Sequence, residues 1–276
     1  MSQLEKTVSI ERVCGSATSR ADDRVAVEEP LEIRVARAGE AGIGRALSVT
    51  MRTPGQDFDL VAGFLHGEGL VRTAADLTEL RHCGPSGNVV RVEHAADAPI
   101  DLARLDRHFY TTSSCGVCGK SSIEAVMKSL PVSQVAVQGR LAARILETLP
   151  AKLRAAQDTF STTGGLHAAG LFSFGGELLD CREDVGRHNA LDKLLGARLR
   201  ANGLPLGNHV IMLSGRASFE LLQKSMAAAA PIVAAIGAPS SLAIELAEQA
   251  GITLIGFLRA ANFNVYSHPA RLDLTR

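Results

Sequence analysis

Tryptophan is absent from this sequence, and aromatic residues of all kinds make up only 4% of it. Proteins that grip single-stranded nucleic acid stack bases on aromatic rings, so such a platform is not expected here. An excess of either charge is also missing, since 29 Lys and Arg balance 29 Asp and Glu. A generic polyanion binder would carry a basic excess. Overall neutrality still leaves room for a local phosphate pocket. No apolar run approaches the roughly 18 residues that a spanning helix needs. The longest, over 226–238, is broken by Pro231. No GxGxxG and no GxxxxGK[ST] is present, which excludes the dinucleotide fingerprint and the P-loop.

Cysteine is scarce and odd in number: Cys14, Cys83, Cys115, Cys118 and Cys181. A chain of 276 residues buries enough surface to fold without staples. The N-terminal MSQLEKTVSIERV carries charges where a signal peptide would be apolar, so the cytoplasm is the expected compartment. In a reducing compartment these residues are thiols, metal ligands or catalysts rather than a disulfide framework.

The patterning predicts three regions. Residues 1–24 are polar and read as a loose tail. Residues 25–112 read as a smaller α+β domain. Its LEIRV and LSVTM segments alternate as half-buried strands do, and a helix follows from Asp57. Residues 113–276 read as a cysteine loop and an α/β domain with a largely parallel sheet. HVIML, PIVAA and ITLIG are apolar strands separated by helical stretches, the pattern of right-handed crossovers. Gly196 and Gly251 are expected to close two of the helices.

Four constellations could carry chemistry. The first is Cys115-Gly-Val-Cys118, in a small-residue stretch ahead of a helical segment. A helix N-terminus and the nearby Lys120 would favour a thiolate, and Cys118 lies within reach to resolve a persulfide or disulfide. The same residues could be half a zinc site, but no second CxxC completes it. They could also be two small buried residues. Zinc-dependent deamination requires His-x-Glu followed by Pro-Cys-x-x-Cys. His167 is followed by Ala168-Ala169 and comes after the CxxC, so deamination is excluded and no metal is expected.

The second is Thr163-Gly-Gly-Leu-His167, either an anion-binding turn or a tight turn with a core histidine. The third is the 182–189 loop, with Arg187 and His188 at a helix start. It is either a solvated loop or a ligand-positioning one, and Asp184 could simply cap the helix. The fourth is the set of strand ends: Ser214-Gly215-Arg216, then 237–241, then Phe257-Leu258-Arg259. Ligands of open α/β sheets bind at the carboxyl ends of strands. Arg216 and Arg259 in parallel places suit a phosphate-bearing ligand.

The segments TMRTPG, SSCGVCG, TGGLHAAG, CREDVGRHNALDKLLG, SGRASFELLQK, APSSLAIELAEQAG and GFLRAANFNVYSHP together resemble the formate dehydrogenase accessory sulfurtransferase (FdhD) family, from about residue 29 to 268. The resemblance implies a cytoplasmic, homodimeric sulfur carrier. Such a carrier takes persulfide sulfur from a cysteine desulfurase. It passes that sulfur to the molybdenum bis(guanine dinucleotide) cofactor before the cofactor enters formate dehydrogenase. It also implies a cytidine-deaminase-like C-terminal domain without deaminase chemistry, and binding of guanine nucleotides such as GDP as mimics of the cofactor. By motif, Cys115 matches the persulfide cysteine and Cys118 its partner. Phe257, Leu258, Arg259, Ala260, Ala261 and Asn262 match the cofactor-binding stretch, where the family often has a second basic residue. The resemblance also favours Ser214, Gly215, Arg216, Arg187, His188 and His167 as site residues. The alternatives are a non-catalytic cofactor-binding chaperone and a thiol redox protein using the CxxC.

Overall fold

A computed structural model describes residues 4–95 and 139–275. It begins with an antiparallel hairpin of β1 (Glu5–Cys14) and β2 (Ala17–Ala26), turned at Gly15 with φ +63°. The expectation of a loose tail over 1–24 is therefore corrected. The strands pair in register along their full length, but neither has a buried face, so no apolar alternation advertises them. Glu5 ties the ribbon down, accepting from Arg24 at 3.0 Å and from the Thr162 hydroxyl at 2.6 Å.

The second sheet joins β3 (Glu29–Arg37), β4 (Arg45–Arg52), β5 (Leu77–Cys83) and β6 (Val89–His94) in the order β4-β3-β6-β5. Its inner face carries Leu31, Ile33, Val35, Val90 and Val92. These close over Leu60, Val61 and Leu65 of helix α1 (Asp57–Gly67). Asp57 and Asp59 in the first turn of α1 complement its dipole.

The third sheet has six strands: β8 (His167–Ser173), β9 (Leu178–Asp184), β10 (His209–Leu213), β11 (Ile232–Ala235), β12 (Thr253–Gly256) and β13 (Asn264–Val265). Their order is β13-β12-β11-β10-β8-β9. Only β10, β11 and β12 run parallel, and the flanking pairs are antiparallel. The expected largely parallel sheet is thus a parallel centre inside a mixed sheet. The cause is local: β8 and β9 form a hairpin turned at Gly176 with φ +78°, and β13 folds straight back on β12.

Alternation along the central strands sends side chains to both faces. Ile211 and Leu213 meet helices α5 (Arg187–Arg200), α6 (Phe219–Ala227) and α7 (Ser241–Ala250). Val210 and Met212 meet α2 (Ala143–Leu146) and α3 (Leu149–Ala155). On that side lies a short pair, β7 (Leu141–Ala142) with β14 (Leu272–Asp273). Helix α4 (Asp158–Thr163) instead meets the β1–β2 ribbon, through Thr162 and Glu5. Helix α7 is capped by Ser240 and closed by Gly251 in the left-handed conformation.

Gly196 does not close a helix as expected. It lies inside α5, where α1 crosses. A Cβ there would stand 1.8 Å from the Asp59 carbonyl oxygen, and one on Gly63 would stand 1.8 Å from that of Asp192. These two glycines let the helix backbones touch. Beside the crossing, Lys224 Nζ meets both carboxylate oxygens of Asp192 at 2.8 and 2.9 Å in a buried pair.

Candidate functional site

The carboxyl ends of β10, β11 and β12 are laced into one rim. Gly237 N donates to Gly215 O at 2.9 Å, and Phe257 N donates to Gly237 O at 3.1 Å. Ser214 is clamped to β8: its hydroxyl accepts from Ala168 N at 2.8 Å while its own N donates to Ala168 O at 3.0 Å. A Cβ on Gly237 would lie 2.9 Å from the Arg216 backbone, so only glycine admits this approach. The structure therefore brings together the three strand ends named from the sequence.

Phe257 stands out on this rim. It is a bulky residue at φ 53°, and its side chain is 44% exposed. Left-handed backbone at a bulky residue costs energy and persists only where the surroundings enforce it, typically at a functional site. Leu258 is fully buried and anchors the loop. Arg259 folds back, donating from Nη1 to the carbonyls of Ile236 at 2.7 Å and Leu258 at 3.0 Å. Its backbone N bonds Asn262 O at 2.9 Å, so Ala260 and Ala261 form an exposed, tight return. Arg216 is exposed and has no ion-pair or hydrogen-bond partner among the described residues.

The expected 182–189 loop is mostly regular structure: 182–184 end β9, 187–189 open α5, and only 185–186 link them. Its residues take two roles. Asp184 is fully buried. It accepts from Thr53 N at 3.1 Å, Gly186 N at 2.9 Å and Asn189 Nδ2 at 3.0 Å, and pairs with Lys193 Nζ at 2.8 Å. Lys193 also donates to Thr53 O at 2.9 Å, and Asn189 donates to Met51 O at 2.7 Å. This buried latch fastens α5 to the loop between β4 and α1. Asp184 is a hub and not a helix cap, because Gly186 is the N-cap residue.

Arg187 and His188 instead face the rim. The His167 ring lies against Gly215, where a Cβ would be 3.4 Å from Nδ1. Burial, with the charges of Arg187 and His188, holds His167 below the ordinary imidazole range, against a weaker pull from Asp184. His188 Nε2 lies 2.9 Å from Glu220 Oε2 and 3.4 Å from the Ser218 hydroxyl. Ser218 and Glu220 open α6, and no motif singled them out. The available signal was an acid two residues after a serine N-cap, directly following a strand end.

These positions also bear on deamination. His188-Asn189-Ala190 precedes Ser214-Gly215-Arg216-Ala217-Ser218, in the order His-x-Glu and Pro-Cys-x-x-Cys would take. Alanine stands in place of the glutamate, and glycine and serine in place of the cysteines. No group of three His, Cys, Asp or Glu suited to a metal occurs among the described residues.

Cys115 and Cys118 lie outside the described residues. Of the other cysteines, Cys14 is exposed near the hairpin turn and Cys83 is buried. Cys181 lines a cavity of about 500 Å³ with Thr53, Gln56, Thr159 and Glu183. Burial and the carboxylates of Glu183 and Asp180 push its thiol up to about 12. It is therefore a protonated thiol at neutral pH, unsuited to nucleophilic sulfur chemistry. No helix among the described residues is long and apolar enough to cross a membrane.

Comparison with known proteins agrees with this arrangement. The family model for the FdhD/NarQ family matches residues 26–273. The sulfur carrier protein FdhD of Streptomyces avermitilis is 46% identical over 289 residues, covering 99% of this chain and 98% of that protein. The protein of the same name in Mycolicibacterium paratuberculosis is 48% identical, covering 94% of each chain. That of Sulfolobus acidocaldarius is 39% identical, covering 99% and 100%. A crystal structure described as a formate dehydrogenase accessory protein, from Desulfotalea psychrophila, shares the fold. It has a TM-score of 0.75 at 22% identity, covering 98% of this chain and 100% of that one. On these matches, spanning the four-stranded and six-stranded sheets and the strand-end rim, the chain belongs to the FdhD/NarQ family.

Proposed function

We propose that this protein is a sulfur carrier for formate dehydrogenase maturation. Cys115 takes a sulfane sulfur from the persulfide of a cysteine desulfurase. Its thiolate attacks the outer sulfur, the S–S bond of the donor breaks, and the donor thiolate leaves. In the second step the molybdenum bis(guanine dinucleotide) cofactor is the substrate: it supplies the electron pair that takes up the outer sulfur, the S–S bond of the Cys115 persulfide breaks, and the Cys115 thiolate leaves, regenerated. Cys118 serves as its partner thiol. The protein acts as a cytoplasmic homodimer.

The observation that carries this proposal is the strand-end rim of a chain whose family relatives are named sulfur carriers. Phe257, held exposed in a strained backbone, offers a face for a planar ring. Arg216 and Arg259 would neutralise phosphates, with Arg187 contributing its charge from the start of α5. A large, charged cofactor gripped by its nucleotide ends needs little further chemistry from the protein beyond positioning.

The test is intact-protein mass spectrometry after incubation with a cysteine desulfurase and cysteine. Wild type should gain sulfur mass, and Cys115→Ala should not. A chaperone that only shelters the cofactor predicts no gain in wild type and full maturation activity in Cys115→Ala. That outcome would overturn the carrier role.

A further inference from the structure

Glu220 belongs to none of the motifs that marked the site. It lies in the first turn of α6, two residues beyond Ser218. Its side chain is only 21% exposed, and Oε1 is enclosed with no hydrogen-bond donor. Its one close partner is Nε2 of His188, 2.9 Å from Oε2. Burial pushes the carboxyl up, but the His188 bond and the charges of His188, Lys224 and Arg187 outweigh it and hold the group below the usual carboxylate range. A covered carboxylate with half its acceptors unused is a poor device for stability, since an apolar residue would pack there without the desolvation cost. Lys224 is already engaged by Asp192, and Arg187 acts on the carboxylate through its charge without a hydrogen bond. The carboxylate is therefore placed for His188.

Positive groups gather around His188. The Arg187 guanidinium has no ion-pair or hydrogen-bond partner among the described residues, and its Nε is enclosed. Arg187 and His188 both act on His167, whose ring packs at Gly215, and the unpaired Arg216 follows directly. The negative groups facing this cluster are Glu220 from α6, Asp184 from β9 and Asp192 from α5; Asp184 is committed to Lys193 and Asp192 to Lys224. A carboxylate bonded to one imidazole nitrogen fixes the ring and its tautomer, leaving the other nitrogen for a ligand. Nδ1 of His188 is that nitrogen.

We propose that Glu220 is the positioning residue of an anion subsite. It orients His188 so that His188, Arg187 and Arg216 together hold a phosphate-class group at the rim. The inference rests on the rim being the nucleotide-binding site proposed above, and it assigns the residue that sets the site's selectivity for charge.

The test titrates the full chain calorimetrically with pyrophosphate, GDP and guanosine, comparing wild type, Glu220→Gln and His188→Gln. Glu220→Gln should weaken pyrophosphate and GDP by about tenfold and leave guanosine unchanged. Sulfate, followed by NMR, should bind wild type about tenfold more tightly than either Glu220→Gln or His188→Gln. A mere clasp between α5 and α6 predicts the reverse: a lower melting temperature with unchanged anion affinity, which would overturn the proposal. GDP binding that is equal in wild type and Glu220→Gln would also overturn it while leaving the nucleotide site standing. Pyrophosphate binding that depends on Glu220, without any GDP binding, would refute the nucleotide site and leave the anion subsite standing. Wild type that binds neither would overturn both.

Discussion

Replacing Gly196 by alanine sets two effects of opposite sign against each other. In an ordinary helix interior the change stabilises by roughly 1 kcal/mol, because alanine has the higher helix propensity. Here the added Cβ would stand 1.8 Å from the Asp59 carbonyl oxygen and 2.6 Å from Gly63 N. Both obstacles are backbone, so no side chain can swing away. The helices α1 and α5 must part by more than an ångström, opening the packing along their whole crossing. Overpacking of this kind costs about 3 kcal/mol at the severe end of the usual range. The net loss is then about 2 kcal/mol, equivalent to a fall of roughly 4–8 °C in Tm for a chain of this size. Urea unfolding, with thermal melting alongside, measures it. Gly63→Ala should do the same. The double variant should cost clearly less than the sum, because the helices need part only once. A Gly196→Ala protein as stable as wild type, or more stable, would refute the idea that the helices touch through these glycines.

Three further outcomes follow from the same structure. Phe257→Gly should raise Tm by relieving the left-handed strain, while weakening GDP binding; a variant that loses stability would show that Phe257 is packed rather than presented. Lys224→Met should cost about 3–5 kcal/mol by stranding the Asp192 charge, whereas pairing it with Asp192→Leu should recover most of the loss, as a double-mutant cycle in urea will measure. Stability should fall as the pH drops below about 6.5, because burial holds His66, His167 and His209 below the ordinary imidazole range, so the unfolded chain takes up protons first. His66→Asn should flatten part of that slope in urea midpoints taken at pH values on either side.

The strand-end rim was legible in the sequence because parallel crossovers leave little choice. Once HVIML, PIVAA and ITLIG are adjacent parallel strands, Ser214, Gly237 and Phe257 must emerge at one edge. The hairpin over 5–26 was hidden because its strands bury no face, and a period of two shows only where one side meets a core. Gly196 was misleading because a glycine that ends a helix and one that admits a neighbouring helix look alike in one dimension. The latch was invisible for a different reason. Asp184 meets Thr53 across 131 positions, and no local rule pairs residues so far apart. The residues of 182–189 looked equally polar, yet Asp184 and Asn189 serve the scaffold while Arg187 and His188, between them, act on His167.

Helix α5 has no side of its own turned to water along most of its length: one face closes the six-stranded sheet and another bears directly on α1. It is a party wall shared by two rooms. Its first residues, Arg187 and His188, are furniture of one room, yet the wall stands on footings poured in the other, at Thr53 and Gly63. Such a wall cannot serve as a hinge, since swinging it would tear both sides at once. Any movement at the rim therefore falls to the strand-end loops, around Gly215, Gly237 and Phe257. A lesion in the four-stranded sheet would be felt as a displaced Arg187.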